Sequence, residues 1–283
     1  MKYDFQTHPI SYSDLKYIEE SWDRYKFEKN KPREDKPAFA IGSYFESLLL
    51  GEDTSEFVIG DGRSKEVKEA KEEGKRHLGI KDAEMVHNML VACDNNPDLY
   101  WLDENFSAQQ YLHGNLRGVD CKGYADIITE DRIIDIKTID SLANIDKAVA
   151  NGYYLQAAMY QALYFQMTDK FLPFYFFFIE KKAPHYTWLG EIPQDYIEAG
   201  KLKIFDILGK VKDCREKDLN GEFTGFDLKL KKPKYLKWTQ KTNINYLKYY
   251  SNFYKIEKYE SGLLNEFTII LILIKNRIKK IKY

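Results

Sequence analysis

The chain has 283 residues, 44% of them hydrophobic and 15% aromatic, enough apolar surface for one large core or two small ones. Charged residues make up 31% yet cancel to a formal net charge of −1, so a polyanionic partner has to be met by a local basic surface and not by the mean field. Cys93, Cys121 and Cys214 are odd in number, widely spaced and outside any Cys-x-x-Cys pattern, which argues against a disulfide framework or a zinc site and fits a reducing cytoplasm.

The opening residues Met1–Pro9 lack the apolar stretch of a signal peptide. The strongest apolar run, Phe267 to Ile274, is less than half of the roughly 20 residues that a membrane-crossing helix needs, so a soluble protein with no membrane partner is expected. Ile10 to Tyr25 reads as a short amphipathic helix, with a cap in Ser11-Tyr12-Ser13-Asp14 and with Leu15, Ile18 and Trp22 near helical spacing. Lys26 to Pro37, rich in lysine and containing Pro32, reads as an exposed loop. Ala38 to Leu50 marks a largely buried helix through Phe39, Ile41, Tyr44, Phe45, Leu48 and Leu49, with one charge, Glu46, inside it. That carboxylate either faces solvent or finds a cation, because an unpaired buried charge is costly.

Ser64 to His77 is dense in Lys, Glu and Arg and reads as a solvated helix with i,i+4 charge pairs. Ala83 to Cys93 supplies another amphipathic helix, ended by Asn95-Asn96-Pro97, and Asp103 to Leu112 begins a strand region. Tyr111–Asp120, Lys122–Thr129 and Arg132–Thr138 follow as strands, with a tight connection at Glu130-Asp131. A polar linker, Ile139 to Ala150, leads to a helix from Tyr153 to about Phe165. Phe171 to Ile179 has the continuous apolar character of a strand buried on both faces, and Ile197 to Glu216 is a further amphipathic helix. Strands, helix and strand in that order give an α/β fold with a mixed central β-sheet flanked by helices.

Residues 1–220 are expected to form one domain and 221–283 an extension. From Lys229 to Tyr283 there are 14 Lys/Arg against 3 Asp/Glu, interleaved with Tyr235, Trp238, Tyr246, Tyr249, Tyr250, Phe253, Tyr254 and Tyr259. Basic residues among aromatics suit phosphate contact and base stacking. An extension that packs on the body or on another subunit fits the same composition, and Phe267–Ile274 reads as a helix docked on a neighbouring copy, being too apolar to leave exposed.

The chemistry concentrates between Gly118 and Tyr160. In Ile133-Ile134-Asp135-Ile136-Lys137-Thr138, period-two alternation sends Asp135 and Lys137 to one face and Ile134 and Ile136 to the other. A short connection brings Asp126, at the end of the preceding strand, beside Asp135. Two carboxylates so close repel, and one takes up a proton unless a cation sits between them. Mg2+ or Mn2+ suits oxygen ligands and retained water, and such an ion polarises a phosphodiester oxygen while Lys137 orients the attacking water or stabilises the phosphate charge. An isolated Asp-x-Lys on a strand is most often an ordinary ion pair at a sheet surface. Its company here is different: Asp126 nine residues earlier, and Gln156 with Tyr160 at i,i+4 on the next helix. The five histidines show no paired spacing, and no phosphate-binding Gly-x-x-x-x-Gly-Lys loop is present.

Lys122-Gly123-Tyr124-Ala125-Asp126, Asp135-Ile136-Lys137-Thr138 and Gln156-Ala157-Ala158-Met159-Tyr160 resemble the three core motifs of the RecB-like branch of the PD-(D/E)xK nuclease superfamily, nearest to phage and prophage exonucleases of the RecE (exodeoxyribonuclease VIII) type. The segments 10–15, 41–50 and 178–184 agree with it, and the likeness runs from about Tyr3 to Glu191. The resemblance implies a restriction-endonuclease-like core in which Asp126, Asp135 and the carbonyl of Ile136 bind metal and Lys137 acts in catalysis. Gln156 and Tyr160 would contact DNA or brace the site, with Tyr153 and Lys122 in the same supporting group. Glu46 stands where the family carries His, and an oxygen ligand there favours Mg2+ or Mn2+; Ala125 stands where Pro is usual. The implied activity is 5′→3′ digestion of linear double-stranded DNA in phage-type recombination, by a homo-oligomer that passes the 3′ strand to a single-strand annealing protein. A structure-specific RecB-like endonuclease and a non-catalytic DNA-binding subunit are the alternatives.

Overall fold

The computed structural model describes residues 3–32, 36–97, 99 and 105–220. The chain divides into one unit from Met1 to Lys237 and another from Trp238 to Tyr283, and every described residue falls in the first. The basic, aromatic extension 221–283, with its apolar run Phe267–Ile274, lies outside the described residues. Among the described residues no helix is long and apolar enough to cross a membrane.

The N-terminal part runs β1 (Ile10–Ser11), α1 (Tyr12–Glu20), α2 (Trp22–Asn30) and α3 (Pro37–Leu49). The single helix expected over Ile10–Tyr25 is interrupted at Ser21, which turns extended, and its hydroxyl accepts from the Arg24 N–H at 3.1 Å as the cap of a new helix. The loop expected from Lys26 is accordingly helical as far as Asn30. Lys26 has acids to hold it there, Asp23 at 3.0 Å and Asp218 at 2.8 Å. Next come β2 (Phe57–Ile59), α4 (Lys65–Glu72), β3 (Arg76–Leu78) and α5 (Ile80–Asp94). The charged helix expected to continue through His77 stops at Glu72: Gly74 takes φ +88°, and Arg76–Leu78 pairs in parallel with Phe57–Ile59 as a separate two-stranded sheet.

The main sheet joins β1 to β4 (Ser107–Leu116), β5 (Val119–Ile128), β6 (Ile133–Ile139), β7 (Phe174–Glu180) and β8 (Thr187–Glu191). β4 and β5 form a hairpin whose turn is Arg117-Gly118, both at positive φ (55° and 72°), upstream of the break expected at Cys121. β6 and β7 are parallel over their full lengths. β7 is buried on both faces, as its composition predicts, but begins at Phe174 rather than Phe171. β8 pairs antiparallel with β7 and has no counterpart among the expected elements; it is a short strand with a glycine in its interior. A 3-10 turn (Leu142–Asn144), α6 (Ile145–Ala148) and one π-helical turn (Val149–Tyr153) occupy the expected polar linker and lead into α7 (Tyr154–Thr168); α8 (Gln194–Leu219) follows β8.

Ala40, Ile41 and Phe45 of α3 and Val86 and Met89 of α5 pack on Ile134, Ile136, Phe177 and Ile179, which makes one face of β6 and β7 part of a hydrophobic core. By alternation Asp135 and Lys137 point away from that core. On their side α7 lies against β4 and β5 with α8 packed on it, so closely at Gly200 that an added Cβ would stand 2.6 Å from the Ala158 Cβ and 2.8 Å from the Tyr154 carbonyl. Near its end α8 holds the N-terminal segment: Arg215 donates to the carbonyls of Phe5 at 2.9 Å and His8 at 2.7 Å.

One detail of the sheet opens a gap in it. β4 runs along one edge of β5 from Val119 to Ile128, so β1 and β6 must share the other edge. β1 takes Cys121 and Lys122, and β6 takes only Ile127 and Ile128. Gly123–Asp126, between them, pairs with neither strand. The sheet therefore opens there into a gap bounded by the end of β1, the middle of β5 and the second half of β6.

Candidate active site

A cavity of about 310 Å³ fills this gap. Its walls include Glu46 from α3, Asp126 from β5, Asp135, Ile136 and Lys137 from β6, Tyr153 from the π-helical turn, and Gln156 and Tyr160 from α7. Every site residue expected from the sequence lines it except Lys122. Lys122 stands in the sheet frame instead, its backbone paired in register with Ser11 of β1 and His113 of β4, beside the cavity and not in its wall.

The acids are brought together by the end of the β5–β6 ladder. Pairing stops at Ile127 opposite Ile134, and the next free N–H of β6, that of Ile136, donates instead to Asp126 Oδ2 at 2.7 Å. Asp126 thus satisfies a buried backbone donor that the splayed strands leave over. Asp135, 1% exposed, accepts from Gln156 Nε2 at 2.5 Å and forms an ion pair with Lys137. Glu46, reaching in from the helix on the opposite face of β6, accepts from the Gln109 side-chain amide. Its carboxyl also touches that of Asp126, and Asp126 touches Asp135. Glu46 is half-buried in the cavity wall among the other acids and does not stand free on the outer face of its helix.

Burial and mutual repulsion raise all three acids. Burial and the Asp135 charge push Glu46 up to about 7. Burial likewise drives Asp126 and Asp135 above the usual carboxylate range, Glu46 adding to the first and Asp126 to the second. For Lys137, burial alone would lower the ammonium's pKa, but the charges of Asp135 and Asp126 outweigh it and hold the group protonated. The Lys137 Nζ lies 5.6 Å from the centre of the Tyr153 ring, itself backed by Phe176 and Phe178.

Three touching carboxyls need either shared protons or a cation. The donor set is all oxygen, with neither imidazole nor thiol, which fits a hard divalent ion such as Mg2+ or Mn2+. Among the described residues no three His, Cys, Asp or Glu side chains stand as a finished coordination shell. The oxygens are directed instead toward Gln109, the Ile136 N–H, Lys137 and Gln156, so a cation would have to draw the acids inward.

Sequence reasoning missed parts of this cavity and of the frame behind it. Ser11, Tyr12 and Ser13 read as a helix cap, yet all three line it at the start of α1. Tyr124 reads as an ordinary strand residue and lines it too. Gln109 gives no local signal at all: it lies across from Asp126 in the hairpin register with φ 47°, a left-handed conformation inside the first part of β4. Gly123 is legible in the sequence only as part of a motif. Its role is steric, because a Cβ there would come within 2.4 Å of the Tyr160 ring.

The sheet and its flanking helices agree with what known proteins show. The description of a PDDEXK-like domain of unknown function (DUF3799) matches residues 11–226, most of the chain. The chain belongs to this PDDEXK-like family. The match begins at Ser11 of the cavity wall and extends past α8, so it encloses every element that lines the site. A solved structure of similar fold is that of a provisionally named exonuclease from Eubacterium rectale, with a TM-score of 0.60 and 18% identity over 76% of this chain and 82% of that one. The structure of SSO0001 aligns at a TM-score of only 0.30, with 14% identity over 62% of this chain and 85% of that one, and adds no weight. No curated protein matches the chain. The PDDEXK-like fold, a mixed sheet flanked by helices, is a nuclease-like fold.

Proposed function

We propose that the chain is a Mg2+- or Mn2+-dependent deoxyribonuclease that hydrolyses phosphodiester bonds of linear double-stranded DNA. The observation that carries this reading is the meeting of Glu46, Asp126 and Asp135 with Lys137 in one open cavity where the sheet splits. A divalent ion bound by these acids would polarise a phosphodiester oxygen and acidify a water at neutral pH. The protein's own contribution is orientation. Each carboxylate has a private donor, Gln109 for Glu46, the Ile136 N–H for Asp126 and Gln156 for Asp135, which holds it before substrate arrives. Lys137, kept cationic by Asp135 and lining the same cavity, would stabilise the negative charge that grows on the phosphate.

The name borne by the Eubacterium rectale protein supports exonuclease over endonuclease action. The likeness to RecE-type enzymes extends the proposal to 5′→3′ digestion in phage-type recombination in the cytoplasm, by a homo-oligomer that hands the 3′ strand to an annealing protein, with residues 221–283 as a DNA-contacting extension. The test is digestion of linear, nicked and covalently closed duplex with Mg2+, against EDTA. Only the linear form should be consumed, and Asp135→Asn and Lys137→Ala should each slow digestion by about a hundredfold or more. Cutting of closed circles would replace the exonuclease by an endonuclease, and undiminished digestion by either variant would refute the site.

A further inference from the structure

The cavity has an aromatic path leading out of it. Tyr124, in the cavity wall, is 54% exposed; Tyr111, opposite it on β4, is 43% exposed. Their ring centres are 5.1 Å apart. Two residues further along β4 the exposed His113 ring stacks on Tyr111, with centres 5.4 Å apart and planes 29° from parallel. His113 is paired in register with Lys122, which has no ion-pair partner among the described residues. Three rings thus run in a row along one face of the hairpin, from the carboxylates to an uncommitted ammonium.

A cross-strand tyrosine pair stabilises a hairpin by about 0.2–1 kcal/mol, but such a pair does not require both rings to stand half in water. Nor does hairpin packing account for a third ring and a cation in line with the acids. The geometry points to Tyr124, Tyr111 and His113 as a stacking strip for unpaired bases of a polynucleotide strand, with Lys122 meeting its phosphates, so that the strip guides a single strand to or from the carboxylate cavity. Aromatic faces accept any base, which suits a surface that must track a strand without reading its sequence. Amphipathic rings on an open strand face, with a lysine beside them, fit a charged, flat-faced ligand better than an apolar peptide or a lipid.

The role assigned to the strip rests on the nuclease reading, but its chemistry can be tested apart from cutting. Full-length protein in EDTA is titrated into two fluorescent oligonucleotides of equal length and charge, oligothymidylate and the same backbone without bases, and anisotropy is followed. Wild type should prefer the thymidylate by about tenfold or more. Tyr111→Ala and Tyr124→Ala should each abolish most of that preference while leaving binding of the base-free strand unchanged, and Tyr111→Trp should retain it. Equal binding of the two oligonucleotides by wild type overturns the strip, as does a preference that survives both alanine variants. Digestion of linear duplex by the same protein, transferred from EDTA to Mg2+, keeps the two readings separate. Cutting without base preference overturns the strip alone; a base preference lost in the alanine variants of a protein that cuts nothing supports the strip and refutes the nuclease.

Discussion

Gly123 offers the sharpest test of how the site is held. A Cβ at this position would lie 2.4 Å from Tyr160 Cε1 and 3.0 Å from its Cδ1 and Cζ, distances at which something has to move. The Tyr160 ring is 8% exposed and packs edge-on against Phe174, with ring centres 6.2 Å apart, so it has little room to retreat. Gly123→Ala should therefore behave as an overpacked core substitution and destabilise the protein by about 1–3 kcal/mol. Part of the change comes from the unfolded state, where alanine has fewer conformations than glycine and would raise stability by up to about 1 kcal/mol, so the net loss falls toward the lower end. Tyr160→Ala alone removes a buried ring and should cost about 3–5 kcal/mol. In the double variant the clash has no partner, and the loss should fall short of the sum by about 1 kcal/mol or more. Urea unfolding midpoints of the four proteins, read at constant m-value, measure this coupling. Additive losses would refute the claim that Gly123 exists to admit the Tyr160 ring. Digestion should fall in Gly123→Ala by more than its folded fraction explains, since the displaced ring lies in the cavity wall.

Two further outcomes follow from the same geometry. Gln109→Gly should relieve a backbone strained at φ 47° and leave stability equal or raised by about 1 kcal/mol, yet remove the donor that holds Glu46, so the Mg2+ concentration for half-maximal digestion should rise about tenfold; an unchanged Mg2+ requirement would show that Gln109 does not position the acid. In metal-free protein Glu46 sits at about 7 against an ordinary 4.5, with Asp126 and Asp135 raised beside it, so between those pH values the folded state binds more protons than the unfolded one and stability falls as pH rises; Mg2+ should restore most above pH 7, and thermal midpoints that are equal at pH 5 and pH 8 in EDTA would contradict it.

The acids were legible in the sequence because each reading rests on a short-range rule. Alternation along Ile133–Ile139 fixes the face of Asp135 and Lys137, and the i,i+4 spacing of Gln156 and Tyr160 puts both on one side of α7. Glu46 needed the family pattern, since nothing local says that a carboxylate 80 residues before Asp126 will reach through a gap in the sheet. Gln109 and Tyr12 were illegible for a related reason. Their importance comes from what lies across the hairpin and across the β1–β5 junction, which are long-range facts. The errors in elements have the same source. A lysine- and glutamate-rich stretch predicts helix by propensity, and only pairing with Phe57–Ile59 turns Arg76–Leu78 into a strand. Lys122 was placed by proximity to the motif, but period and register commit it to the outer part of the hairpin face.

The split edge of β5 explains why the acids stand where they do. A sheet that paired β5 with β6 along their whole lengths would satisfy the Ile136 N–H with a backbone carbonyl and leave Asp126 without a buried partner. Here β1 pairs with Cys121 and Lys122 and β6 with Ile127 and Ile128 alone, and the orphan Ile136 N–H takes the Asp126 carboxylate instead. Asp126 is thus fixed by the folding of the sheet before any cation arrives, and the price of bringing three acids together is met partly by a backbone hydrogen bond that the splay makes available. The same gap admits Glu46 from one face and Gln156 from the other, which an unbroken sheet would keep apart. The grouping of these acids is therefore a consequence of topology: a two-residue parallel strand, preceded by a segment that Arg215 of the last described helix holds, shares one edge of β5 with β6, and the acids meet in the stretch that neither strand covers.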